Sequence, residues 1–351
     1  MDADNRSAEA EPHRLARLCV AIAIIVSLSG ATRAVGQQAG AAATKPAPAS
    51  GPLDRPAIRR AVDVWKPLSE DVMFRVVRRV WGFDVPAADR QGPLAELSRL
   101  ADARQTDGLT QVVEHAVDGV LPQVFRSTVV QREGVTMRQA EEGVFECELW
   151  SPAFACSVRR LNTRDSARQL SIVEPERALA GDGPFHALTP LPVLEGHRRL
   201  LEELAWTRLE SPQADRKLFE CRAENGTVFR FRVRASDGLP LAASRWGADR
   251  GWFAHVEVEY GPTVAGPVWV KAVRSISITR ESVRIVDRHL TDVVLGVLAE
   301  HQRFTLDGAT PVYDFRGGRD RYLGSFASVR DALPHDIGHY FEIRGSDGRD
   351  R

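Results

Sequence analysis

The chain has 351 residues, 43% of them hydrophobic and 27% charged, enough for one large domain or two small ones. Its 47 basic residues balance 47 acidic ones, which excludes the basic footprint that a nucleic-acid partner demands. Lys occurs only at Lys45, Lys66, Lys217 and Lys271, so nearly all positive charge is Arg, a composition bias rather than a recognition surface.

In chain order, the basic HRLAR (13–17) leads into an apolar run at 18–31. That run is shorter than the ~20 residues of a spanning helix. Small-x-small cleavage sites follow at Ser29-Gly30-Ala31 and Thr32-Arg33-Ala34. Residues 1–34 therefore read as a Sec-type secretory leader, which places the chain in the periplasm or outside the cell. Asp2, Asp4, Glu9 and Glu11 make the leader acidic and leave an uncleaved, membrane-proximal anchor as the alternative. Residues 35–56 are Ala/Pro/Gly/Ser-rich without apolar periodicity and read as a disordered linker.

A helical segment is expected over 57–123. Val72, Val76, Val77 and Val80 recur at helical spacing after the cap-like Ser69-Glu70-Asp71, and PLAELSRLADA and LTQVVEHAVDGVL repeat the amphipathic pattern. From 124 the period changes from 3.6 to 2. VFRSTVVQ, GVFECELW and AFACSVRRL read as strands, and EGHRRLLEELAW (195–206) as a helical interruption. TVFRFRVRA then alternates Phe229, Phe231 and Val233 against Arg230, Arg232 and Arg234; GWFAHVEVEY, SISIT and SVRIVDRHL continue the series. Asn225-Gly226 predicts a type I′ hairpin turn, and Gly/Pro pairs bracket later strands. The fold class that follows is mainly β (α+β), with one antiparallel sheet over 124–333 and a C-terminal tail over 334–351. Such a sheet must cover its apolar face with a second sheet, with helices or with a bound apolar ligand.

With Cys19 in the leader, Cys147, Cys156 and Cys221 remain. An odd count in an oxidising compartment implies one bridge and one free thiol. FECELWSPAFACSV reads as a hairpin turning at Ser151-Pro152, which would bring Cys147 and Cys156 across from each other. Buried unpaired thiols are the alternative.

DGLPLAASRW (237–246), HVEVEYGPTVAGPVWVKAV (255–273) and FTLDGATPVYDFRGG (304–318) together resemble the LolA/LolB-like lipoprotein-sorting family, in particular its divergent secreted members. The chain departs from the family pattern at Arg234-Ala235-Ser236, where an acidic residue usually precedes the turn. The resemblance implies an open antiparallel β half-barrel with helices packed on its concave face. It also implies a lipid, an acyl chain or a lipidated envelope protein as partner.

The chemistry-bearing motifs are weak beside this. HDIGH places His335 and His339 at i and i+4, a metal-ligand spacing if the segment is an α-helix, and the basis of a remote metal-hydrolase alternative. GSFAS lacks the nucleophile-elbow spacing, and no Gly-rich phosphate loop is present. Glu257 and Glu259 lie ~7 Å apart on a strand face that reads as solvated. Neither a cofactor nor a catalytic residue is expected. The candidate site is apolar: Phe229, Phe231, Val233, Val256, Val258, Tyr260, Ile276, Ile278, Val283 and Ile285 as one continuous concave surface. That surface either admits an apolar ligand or is filled internally, as in a structural, interaction or stress-sensing module. In the last motif, Phe304 and Leu306 read as a clamp, with a reversal at Gly308 and Pro311.

Overall fold

The computed structural model describes residues 71–344, leaving out 142–143, 152, 162–167, 176–205, 210, 212, 249–250, 263–267 and 319. The expected leader, the linker and, apart from Trp206, the helical piece at 195–206 lie outside the described residues. Strand β1 (Val72–Phe83) comes first, followed by helices α1 (Gly92–Asp102) and α2 (Leu109–Val117). A first meander holds β2 (Gln123–Arg132), β3 (Val135–Ala140), β4 (Phe145–Trp150), β5 (Ala155–Arg160) and β6 (Arg168–Val173). A second holds β7 (Thr207–Leu209), β8 (Arg216–Arg222), β9 (Val228–Arg234), β10 (Pro240–Trp246), β11 (Trp252–Pro262), β12 (Val268–Thr279) and β13 (Val283–Leu295). The chain ends with β14 (Phe304–Leu306), β15 (Pro311–Asp314), β16 (Arg321–Ser325), the short α3 (Phe326–Val329) and β17 (Phe341–Ile343).

Among the described residues, all strands except β14 and β17 form one 15-stranded sheet that does not close into a barrel. Its edges are β16 and β7, and its pairs are antiparallel except β6 with β15. β1 lies inside the sheet, between β2 and β13, and so joins the two meanders. This corrects the helical expectation for 72–83. Val72, Val76 and Val80 stand four apart, a spacing that satisfies a period of two as well as one of 3.6. Phe74 completes the alternation, and valine favours the pleated surface. The two helices further on form as expected, burying Leu97, Leu100 and Ala101 from α1 and Leu109, Val113 and Ala116 from α2. The β8–β9 hairpin bends at Asn225-Gly226, but only Gly226 has positive φ, and Ala223 and Thr227 close a longer loop than a type I′ turn.

One sheet face carries two separate cores. At one end, α1 and α2 cover Trp81, Trp246, Phe253, Ile276, Ile278, Val283 and Ile285. At the other, residues 304–341 cover Met137, Cys147, Leu149, Cys156, Val158, Leu170 and Ile172. The 304–318 motif does close this second core, through Leu306 and Val312, while Phe304 is only partly buried. The expected tail also contributes: Ile337 and Phe341 are fully buried, and β17 pairs in parallel with β14.

The β4–β5 hairpin turns where expected, but its register sets Cys147 opposite Val158 and Cys156 opposite Leu149. That register runs unbroken from the Ser151–Phe154 turn to Cys147, so the two thiols are not cross-strand partners and the expected bridge does not form. Cys147, Cys156 and Cys221 are free, buried thiols. Burial pushes all three up, Cys221 to about 12, so they behave as small apolar groups.

Candidate functional site

Cross-strand partners share a sheet face, so register decides which side chains meet. Phe219 and Cys221 on β8 oppose Phe231 and Phe229 on β9. Phe231 opposes Ala243, which opposes Val256; Val258 opposes Val273. Beyond Leu290 on β13 the row continues through Val76 and Phe74 on β1 to Val129 on β2. These residues, with Val72, Val233, Val270 and Trp206, form one apolar stripe on the face opposite α1 and α2. It runs from β8 to β2 without skipping a strand. Tyr260 packs at its border and donates its hydroxyl to the Pro240 carbonyl at 2.6 Å. Burial pushes that phenol upward. Arg288, also buried, opposes Val273 and donates to Ser275 Oγ at 2.9 Å.

Of the ten residues expected on one surface, Phe229, Phe231, Val233, Val256, Val258 and Tyr260 belong to this stripe. Ile276, Ile278, Val283 and Ile285 do not. Ile276 opposes His255 and Ile278 opposes Phe253, which puts them on the helix face with Ile285 and Val283. Both faces of this half-sheet are buried, so hydrophobicity alone does not assign a side. The apolar parity does switch within the strands, from Val273 to Ile276 on β12 and from Ile285 to Leu290 on β13. Val72 and Phe74 were missed because β1 read as helix; Val129 lies on β2, which read as a strand but was not placed on this face.

A polar layer beneath α2 was also missed. Ser244 Oγ lies 2.7 Å from His255 Nδ1, and His255 Nε2 lies 3.1 Å from Glu257 Oε1. Thr110 on α2 donates to Glu257 Oε2 at 2.6 Å. Arg274 pairs with Asp287, and Arg232 reaches Thr106 and Asp107. The residue types mimic a Ser–His–acid relay. Ser244 and His255 are 3% and 1% exposed, however, and His255 Nε2 is off line for a hydrogen bond to the carboxylate. A nucleophile sealed under a helix reaches no substrate, so the layer acts as a clamp on α2.

The segment Pro334–Tyr340 is a 3-10 turn broken by positive φ at His335 and Asp336, not the α-helix that would align His335 with His339. The His335 ring instead stacks on Phe154 with centroids 6.0 Å apart. Gly338 is needed where it stands: a Cβ there would lie 2.3 Å from the Arg330 carbonyl oxygen. Among the described residues, no three His, Cys, Asp or Glu side chains converge to hold a metal. Also among the described residues, no helix is long and apolar enough to cross a membrane.

An open antiparallel sheet with an apolar stripe and helices on its other face defines the class. Solved structures similar to the chain include a LolA superfamily protein from Nitrosomonas europaea, with 11% identity, a TM-score of 0.38, and coverage of 70% of this chain and 95% of that one. A domain of an outer membrane lipoprotein-sorting protein from Vibrio parahaemolyticus matches at 8% identity and TM-score 0.35, covering 70% and 94%. A DUF1329 family protein from Desulfovibrio piger matches at 11% identity and TM-score 0.34, covering 70% and 92%. The first carries the superfamily name that the sequence motifs resemble. No family model and no curated protein sequence matches the chain.

Proposed function

We propose that this chain is a non-catalytic protein of the bacterial envelope that binds an apolar ligand on the Phe229–Phe231 face. The ligand is a lipid, an acyl chain or a lipidated protein. The observation that carries this reading is the apolar stripe spanning β8 to β2 on the face that α1 and α2 leave alone. At ~25 cal/mol per Å² of apolar surface removed from water, an acyl chain seated on such a stripe binds without a charged partner. The neutral composition accords with that. Periplasmic or extracellular placement rests on the leader at 1–34 and is tested by cell fractionation.

Titration with a fluorescent fatty-acid probe, together with native mass spectrometry of protein purified from its own envelope fraction, tests the binding. Saturable probe binding that Phe231→Ser weakens, or a retained lipid mass, is the expected result. One observation favours a second reading: Phe229, Phe231, Val233, Val256 and Val258 are all buried. A module filled internally, docking a partner by its outer surface, would bind no probe and carry no lipid.

A further inference from the structure

We propose that a groove on β4, β5, β6 and β15 binds a short oligosaccharide, independently of the apolar stripe. The groove has a volume of about 470 Å³ and is lined by Phe145, Ser157, Arg159, Gln169, Ser171 and Tyr313, with Phe315 and Asp320 at one end. Register explains its layout. Phe145 opposes Arg159, which opposes Gln169; Ser157 opposes Ser171, which opposes Tyr313. The floor is therefore polar and the walls aromatic. Phe145 stands on the β4 side at 43% exposure, and Tyr313 stands on the β15 side. Tyr313 is flanked by Tyr322 at 5.3 Å and Phe315 at 6.1 Å between ring centroids. Tyr322 is itself 59% exposed. The walls are three interstrand spacings apart, ~14 Å, the length of a short glycan rather than of one ring.

A saccharide matches both parts of this lining. Its C–H faces stack on aromatic rings, and its hydroxyls both donate and accept. Gln169 Nε2 donates to Ser171 Oγ at 3.0 Å, which orients the amide oxygen and the serine for further bonds. Among the described residues Arg159 and Asp320 have no charged partner. Charge-assisted bonds from a guanidinium and to a carboxylate are the strongest that a neutral sugar hydroxyl meets. One cation and one anion also disfavour a strongly charged ligand of either sign. A concave surface with aromatic walls and a few convergent polar groups is the ordinary form of a small-ligand site. The reverse side of the same strands carries the closed core of Val158, Leu170, Ile172 and Val312, so the groove can be altered without touching that core.

Saturation-transfer difference NMR and calorimetry against neutral, N-acetylated and uronic oligosaccharides test the proposal on the full chain. At least one sugar class is expected to receive saturation on its ring protons. Arg159→Gln and Tyr313→Ala should each weaken binding on the order of tenfold. Tyr313→Phe, which keeps the stacking ring, should retain most of it, and thermal unfolding should stay unchanged in Arg159→Gln. Absence of transfer from every sugar class overturns the proposal, as does sugar binding that survives both Arg159→Gln and Tyr313→Ala. The fatty-acid probe result is unaffected either way, so the two readings fail separately.

Discussion

Thr110 on α2 donates a hydrogen bond of 2.6 Å to Glu257 on β11, joining the helix pair to the second meander. Glu257 therefore belongs to an interior layer, whereas Glu259, two residues on, faces outward and pairs with Lys271 at 2.7 Å.

Burial alone would raise the Glu257 carboxyl, but His255, Thr110 and Arg232 outweigh it and hold it at about 2. Its unfolded value is about 4.3. A carboxyl depressed on folding stabilises above its unfolded value, and that contribution is lost as pH falls from ~4.3 towards 2. Glu257→Gln should lower the urea midpoint at pH 7 and flatten its decline below pH 5, read by tryptophan fluorescence. An unchanged acid limb would remove Glu257 from the clamp.

Leu306 is fully buried while Phe304 is partly exposed and meets Phe341 edge-on at 6.3 Å. Leu306→Ala should cost about 2–5 kcal/mol through the cavity it leaves, and Phe304→Ala distinctly less. Chemical denaturation of the two variants side by side checks the order. Equal losses would mean that the clamp works through Phe304 after all.

Gly338 approaches the Arg330 carbonyl too closely for any side chain. Gly338→Ala should destabilise by overpacking, on the order of 1–3 kcal/mol. Gly317→Ser, at an open position with left-handed φ, tests backbone strain without the clash. A Gly338→Ala melting shift no larger than that of a surface substitution would remove the close approach as the reason for this glycine.

Cys147, Cys156 and Cys221 should be inert to Ellman's reagent in the native protein and react fully in guanidinium. A reductant should leave the melting temperature unchanged. A drop on reduction would reveal a bridge and reverse the assignment.

The strict alternation of β9 and β11 was legible because an isolated polar parity, Arg230 with Arg232 or Glu257 with Glu259, stands against an apolar one. The helices of 92–117 were legible from their amphipathic spacing, not from caps: neither has a side-chain N-cap. Two features were not. β1 carries valines whose spacing fits both periods, and its neighbours are assigned by pairings with residues far away in sequence. The faces of β12 and β13 were misread because each strand passes from one core to another, so its apolar residues change parity midway. Glu257 looked solvated because a strand with an acidic face reads identically whether water or a helix covers that face. The resemblance read from the three motifs of 237–318 rested on turn residues and alternating strands rather than on any site residue.

The position of β1 has a consequence for biogenesis. Among the described residues it is the first strand in sequence, yet its β13 edge is completed only after both meanders exist, since Val76 pairs with Leu290. A chain delivered N-terminus first would hold a valine-rich strand with one open edge until nearly its whole length had arrived. Long-range closure of this kind slows folding and invites pairing with other chains. A C-terminal truncation before residue 283 should therefore yield aggregates rather than a smaller folded protein.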